Sequence, residues 1–193
     1  MTREEQKKFK EIKKYLEEKS KCVAKEYGLK KKDYIFYTTK SKMFYSVLLN
    51  MVENRLSISF YAKPFWLDDI LWDVLGDSEN KKQPVSLRGV GAYTINALIK
   101  KNSVEIYDLE SVDKIVESVF GEFQNFVDTF CEKSFLEEIH NITYQRDVIT
   151  TILLIQNKEY EKAQEFVNEK CIDSFQIGEK NFSQLASEYI GNI

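Results

Sequence analysis

Three aspartates, Asp68, Asp69 and Asp73, fall in the run Lys63-Pro-Phe-Trp-Leu-Asp-Asp-Ile-Leu-Trp-Asp-Val-Leu75. Grouped carboxylates can ligate a hard cation or divide acid and base duties between them. Either task needs a second ligand set or a nucleophile at a recognisable spacing, and neither accompanies them. No catalytic residue, metal or cofactor is therefore assigned. Leu67, Ile70, Leu71 and Val74 recur at helical spacing, so the acids ride on a short amphipathic helix between Pro64 and Gly76. Asp69 and Asp73 share one flank. Asp68 and Trp72, one turn apart, share the other. The expectation is that the apolar stripe rests on β-structure and the carboxylates stand in water. Trp72, off the stripe and beside an acid, then suits a partner-binding hot spot; the alternative is that a sheet edge or loop covers it.

Arg88 is the other residue with chemistry in view. In Pro84-Val-Ser-Leu-Arg-Gly-Val-Gly91 it precedes two glycines that would let a partner's backbone approach. Such an arginine can clamp a carboxylate or phosphate, or bridge the acids of the preceding helix. The glycine spacing fits neither a phosphate-binding loop nor a dinucleotide fingerprint. His140 stands alone, without ligands at metal spacing. Cys22, Cys131 and Cys171 are odd in number and far apart, which argues against a disulfide framework or a zinc knuckle and for small buried or half-buried hydrophobes.

Charge is uneven. Residues 1–42 hold 14 Lys/Arg against 7 Asp/Glu, and the other 151 residues hold 14 against 24, within a net charge of -3. Asymmetry of this kind marks a polyanion-binding end or a basic helix packed near an acidic body. Lys30, Lys31 and Lys32 with Tyr34 and Tyr37 form the candidate nucleic-acid surface, since cations beside exposed aromatics suit single strands.

The elements that must hold these residues follow from periodicity. Thr2 and Glu5 form a capping box for a helix running to Gly28. Strands are expected over 33–40, 43–52 and 55–62, the last alternating Leu56, Ile58, Phe60 inward with Arg55, Ser57, Ser59, Tyr61 outward. A second hairpin is expected over 92–99 and 104–107. A long helix capped by Ser111 carries Val112, Val116, Val119, Phe123, Phe126 and Phe130, with Gly121 as a point where it bends or breaks. Helices over 144–156 and 159–171 form a hairpin, and 181–190 a last short helix. The fold class is α+β: an antiparallel sheet of about five strands covered on one face by helices, with a C-terminal helical hairpin. The domains are 1–133, an α+β domain, and 134–193, a helical extension. No apolar signal segment and no run of eighteen apolar residues occurs, so the expected location is cytoplasmic, away from membranes.

The order of first helix, Gly28-Leu-Lys-Lys-Lys-Asp-Tyr-Ile-Phe-Tyr37, meander and Lys63-Pro-Phe-Trp-Leu-Asp-Asp69 resembles an uncharacterised family of small bacterial α+β domains over roughly residues 5–130. In its acidic, aromatic-rich style the chain also resembles immunity proteins of bacterial toxin systems. The resemblance implies the fold class and carries no activity, cofactor or residue role. The expected function is non-enzymatic binding of a protein, a basic toxin-like one being a candidate, through Asp68, Asp69, Trp72, Asp73 and Arg88. Nucleic-acid binding through the basic region is the alternative. An enzyme built on Arg88 and the acids ranks third.

Overall fold

The first helix begins where its capping box predicts. In the computed structural model, which describes Thr2–Ile193, α1 spans Arg3–Glu26, with Thr2 Oγ1 accepting from the Glu5 amide and the Glu5 carboxylate accepting from the Thr2 amide. Gly28 closes it with a positive φ of 68°.

An antiparallel five-stranded sheet follows in the order β1 (Lys30–Lys32), β2 (Ile35–Lys40), β3 (Met43–Val52), β4 (Arg55–Pro64) and β5 (Leu98–Glu105). The protein is α+β, as its sequence indicates. The three central strands lie where expected, although Ser59, expected outward, is buried, and the two edges differ from expectation. Lys30–Lys32 pairs with β2, placing Lys31 opposite Phe36. Three consecutive lysines lack the apolar alternation of a strand, yet an exposed edge tolerates them and they discourage pairing with other chains. The second hairpin is absent. Lys100–Ser103, expected as its turn, lies inside β5 and pairs with Phe60–Ser57 of β4. Only one side of β5 meets a neighbour in the sheet, so its polar residues cost little there.

Helix α4 (Leu109–Thr129) covers one sheet face and runs unbroken through Gly121. Its cap is Asp108, with Ser111 as the third residue of the box rather than the cap itself. Phe36 meets Phe120 and Phe60 meets Phe123 edge-on, each pair 5.2 Å apart, and Tyr45 meets Phe126 at 6.0 Å. α1 packs alongside α4. There Tyr15 donates to Asp113, and Lys19 pairs with Glu117 at 3.0 Å. Lys40 at the end of β2 meets Asp128 at 2.7 Å. Part of the N-terminal basic excess is thus answered by carboxylates of α4.

Tyr45, 2% exposed, donates to the Phe130 carbonyl at 2.7 Å. Burial, with a smaller contribution from Cys131, pushes its hydroxyl up to about 12. The folded-state value is raised, so stability from the protonated hydroxyl is complete below pH ~10 and is lost as pH rises toward ~12. In a phenolate absorbance titration, one tyrosine should ionise well above the exposed ones, and Tyr45→Phe should remove that step.

The chain divides into two units. One comprises Met1–Ala62 with Leu98–Leu136, the other Lys63–Ala97 with Glu137–Ile193. The last crossing falls at 136/137, where the sequence suggested 133/134, and the segment 63–97 groups with the C-terminal helices. That second unit contains α2 (Phe65–Val74), the one-turn α3 (Leu87–Val90), α6 (Arg146–Gln156), α7 (Tyr160–Lys170) and α8 (Phe182–Gly191). α5 (Glu132–Glu138) straddles the division. Leu67 and Leu71 are sealed, and α2 packs on α6 and α8. Within this unit its apolar side therefore has helices as partners, where β-structure was expected from sequence. Helical partners serve as well because a stripe at 3.6-residue spacing fits the grooves of another helix. Cys22, Cys131 and Cys171 form no disulfide among the described residues and are exposed, against expectation. Cys22 is on the outer side of α1, Cys131 joins α4 to α5, and Cys171 caps α7, so none reaches a core.

Candidate functional site

The start of α2 carries the residues singled out by the sequence, and the second unit turns several of them inward. Asp68 is fully buried, Trp72 is 1% exposed and Arg88 6%. Lys63, which carries no sequence signal, is buried with them and reaches Asp68 Oδ1 at 2.7 Å and the Ile95 carbonyl at 2.6 Å. The Ile95 amide donates to the same Oδ1. Two backbone segments distant in sequence are thereby tied through one ion pair. Burial pushes the Asp68 carboxyl up and the Lys63 ammonium down, and the pair's mutual attraction opposes both shifts.

Arg88 lies over Phe65 at 4.2 Å and Trp72 at 4.8 Å. It donates to the Phe65 carbonyl and to Asp69 Oδ1 at 2.6 Å. Asp68 Oδ2 has no hydrogen bond among the described residues, though Arg88 Nη1 stands 3.6 Å away, within ion-pair range. Trp72 donates its indole N–H to the Tyr93 carbonyl. Asp73 accepts from Ser78 and Lys81. Each of the five predicted binding residues is engaged within the chain. The acidic, aromatic docking face expected on α2 is corrected accordingly. Arg88 bridges the acids of the preceding helix, which was the alternative for it, because guanidinium and carboxylates taken from water need each other. Gly91 serves the chain itself: a Cβ there would lie 2.7 Å from the Leu87 carbonyl oxygen.

The basic surface is divided by register. Lys30, Lys31, Lys32 and Tyr34 are exposed, Tyr34 by 61%. Cross-strand partners share a face, so Lys31 goes with Phe36 toward the helices, while Lys30 and Lys32 go with Tyr37 and Ile35 to the other face. Tyr37 stacks on Phe44 at 5.6 Å. The five residues do not form one patch.

Two clefts of the first unit gather further side chains that can recognise a ligand. One of about 510 Å³ lies between α1 and the β3–β4 turn. Its floor is Ile12, Met51 and Ile106, all buried, and Phe9 with the exposed Tyr107 flanks it. The second, about 280 Å³, lies between α1 and the start of β2. Ser20 lines it at 2% exposure, and its Oγ has no hydrogen-bond partner among the described residues, a cost of ~1–3 kcal/mol. An apolar run broken by a single serine on α1's inner stripe was the only sequence hint. His140 is exposed in a short 3-10 turn, Ile139–Asn141. Among the described residues no group of three or more His, Cys, Asp or Glu could hold a metal ion. No helix among them is long and apolar enough to cross a membrane.

Comparison with protein-family models, with curated proteins and with solved structures found no match.

Proposed function

We propose that the chain acts by binding a protein partner and not by catalysis, with the docking site in the cleft between α1 and the β3–β4 turn. The observation carrying this reading is that cleft's composition. A floor of buried aliphatic and thioether groups opens to solvent beside Tyr107, 58% exposed. Its volume of about 510 Å³ lies in the range that ligand sites use. Tyrosine at such a margin supplies contact area at little conformational cost.

The rim holds Glu5 and Glu53 against the single cation Lys8, with Asn54 beside them. Two carboxylates facing one ammonium favour a basic segment, and the floor accepts one apolar side chain from it. A basic, toxin-like protein is the partner class, in keeping with the likeness to immunity proteins. Charge of this kind speeds and selects association more than it deepens affinity. The three exposed, unbridged cysteines fit a reducing compartment, so the cytoplasm is the proposed location.

Titration of the labelled protein with a lysine-rich peptide bearing one central leucine tests the site. Amide shifts should concentrate at Phe9–Ile12, Glu53–Asn54 and Ile106–Tyr107. Tyr107→Ala with Glu53→Lys should weaken binding by about tenfold or more, as loss of a hot-spot aromatic does. The reading is rejected if a central serine gives the same shifts, or if the double variant binds like the parent.

A further inference from the structure

We propose that the second cleft, between α1 and the start of β2, binds a nucleotide unit: a planar base carrying a ribose phosphate. This site shares no residue with the proposed protein-docking cleft, so either can fail without the other.

Four features converge on that ligand. Leu16, Phe36 and Leu49 give an apolar floor, with Leu16 and Phe36 nearly sealed. Set into that floor is the Ser20 hydroxyl, buried and without a hydrogen-bond partner among the described residues. A hydroxyl can donate to a ring nitrogen or carbonyl of a base, or accept from its amino group. Tyr34 stands at the margin with its ring in solvent, free to stack on a base whatever its identity.

The rim supplies the rest. Lys21 and Lys31 both line the cleft, and neither has a carboxylate within ion-pair distance among the described residues. Lys31 instead donates to the Asp33 carbonyl at 2.6 Å, a bond to a neutral acceptor that leaves its charge unanswered. These two ammonium groups suit a phosphate. Glu17 and Asp33 also line the cleft, and their carboxylates are acceptors of the type that hold ribose hydroxyls. A simple anion would leave the floor, Ser20 and the tyrosine unused, and an apolar ligand would leave Ser20 and both cations unused. A nucleoside monophosphate satisfies all of them at a volume of about 280 Å³.

Calorimetric titration of the full chain with adenosine monophosphate, inorganic phosphate, adenosine and a four-nucleotide single-stranded RNA tests this. Adenosine monophosphate should bind at millimolar concentration or below, and phosphate or adenosine alone about tenfold more weakly. Tyr34→Ala should cost about tenfold in affinity, since a stacked base is lost, and Lys31→Glu at least as much. Tighter binding of the RNA than of the mononucleotide would assign the unit to a strand; equal binding would assign it to the free nucleotide.

Ser20→Ala separates a ligand site from a structural defect. In the free protein it should leave Tm unchanged or higher, because an unsatisfied hydroxyl is removed, yet it should weaken the nucleotide several-fold. A fall in Tm would mean that ordered water already satisfies the hydroxyl, which overturns the inference. So would equal binding of phosphate alone, no binding of any probe, or wild-type affinity in Tyr34→Ala.

Discussion

Asp68→Ala should lower the unfolding free energy by ~3–5 kcal/mol, because it leaves the Lys63 ammonium buried without its counter-charge. The geometry explains the size. Lys63 is 4% exposed, its Nζ lies 2.7 Å from Asp68, and its other acceptor is the neutral Ile95 carbonyl. The Ile95 amide would lose its acceptor as well. Arg88 would keep Asp69 and the Phe65 carbonyl, so the loss should fall on Lys63 and Ile95. Urea denaturation of the single variant and of Lys63→Met/Asp68→Leu separates charge from shape. The double variant removes both charges, so it should recover part of the loss. It should still fall short of the parent by ~1–3 kcal/mol, since the Ile95 amide and carbonyl remain unpaired in a dry interior. A single-variant loss under ~1 kcal/mol would mean that water reaches the pair and that it is a surface-type bridge.

Trp72→Ala should cost a comparable ~3–5 kcal/mol through the cavity it opens. At 1% exposure the indole is among the largest fully buried side chains. It also donates to the Tyr93 carbonyl and lies under the Arg88 guanidinium at 4.8 Å. For a chain of this length that loss corresponds to a Tm lower by about 6–20 °C. Trp72→Phe keeps most of the ring contact and removes the hydrogen bond, so it should cost less, ~1–3 kcal/mol. Fluorescence gives a second reading. Trp66 is the only other tryptophan and is half-buried, so removing Trp72 should delete the more blue-shifted emission. A Trp72→Ala variant as stable as the parent would return this residue to the surface and revive docking on α2.

Both expectations reverse the role that the sequence suggested for these residues. Asp68 and Trp72 sit one turn apart on the flank of a helix whose stripe is Leu67, Ile70, Leu71 and Val74. Helical periodicity places a residue around the axis but does not say how much of the circumference is covered. α2 is covered more widely than its stripe requires. An acid can enter such a place only if a cation comes with it, and Lys63 precedes the helix in an ordinary strand context. The basic region shows the same limit. Lys30 to Lys32 are visible as a cluster, but the two-residue repeat of the strand they join sends alternate lysines to opposite faces.

Local periodicity was sufficient for the elements whose own residues choose their conformation. The capped α1, the alternating β4, the aromatic stripe of α4 and the limits of α2 between Pro64 and Gly76 are legible in the chain, as is the α+β class. Tertiary structure decided the edges β1 and β5, which become strands because β2 and β4 present backbone groups to them. It also decided the fate of the charged residues. Whether a carboxylate is solvated or sealed depends on partners such as Lys63, Arg88 and the Ile95 amide, and for Asp68 the last of these stands 27 residues along the chain. Electrostatic pairing acts through space, so no spacing within α2 could encode it.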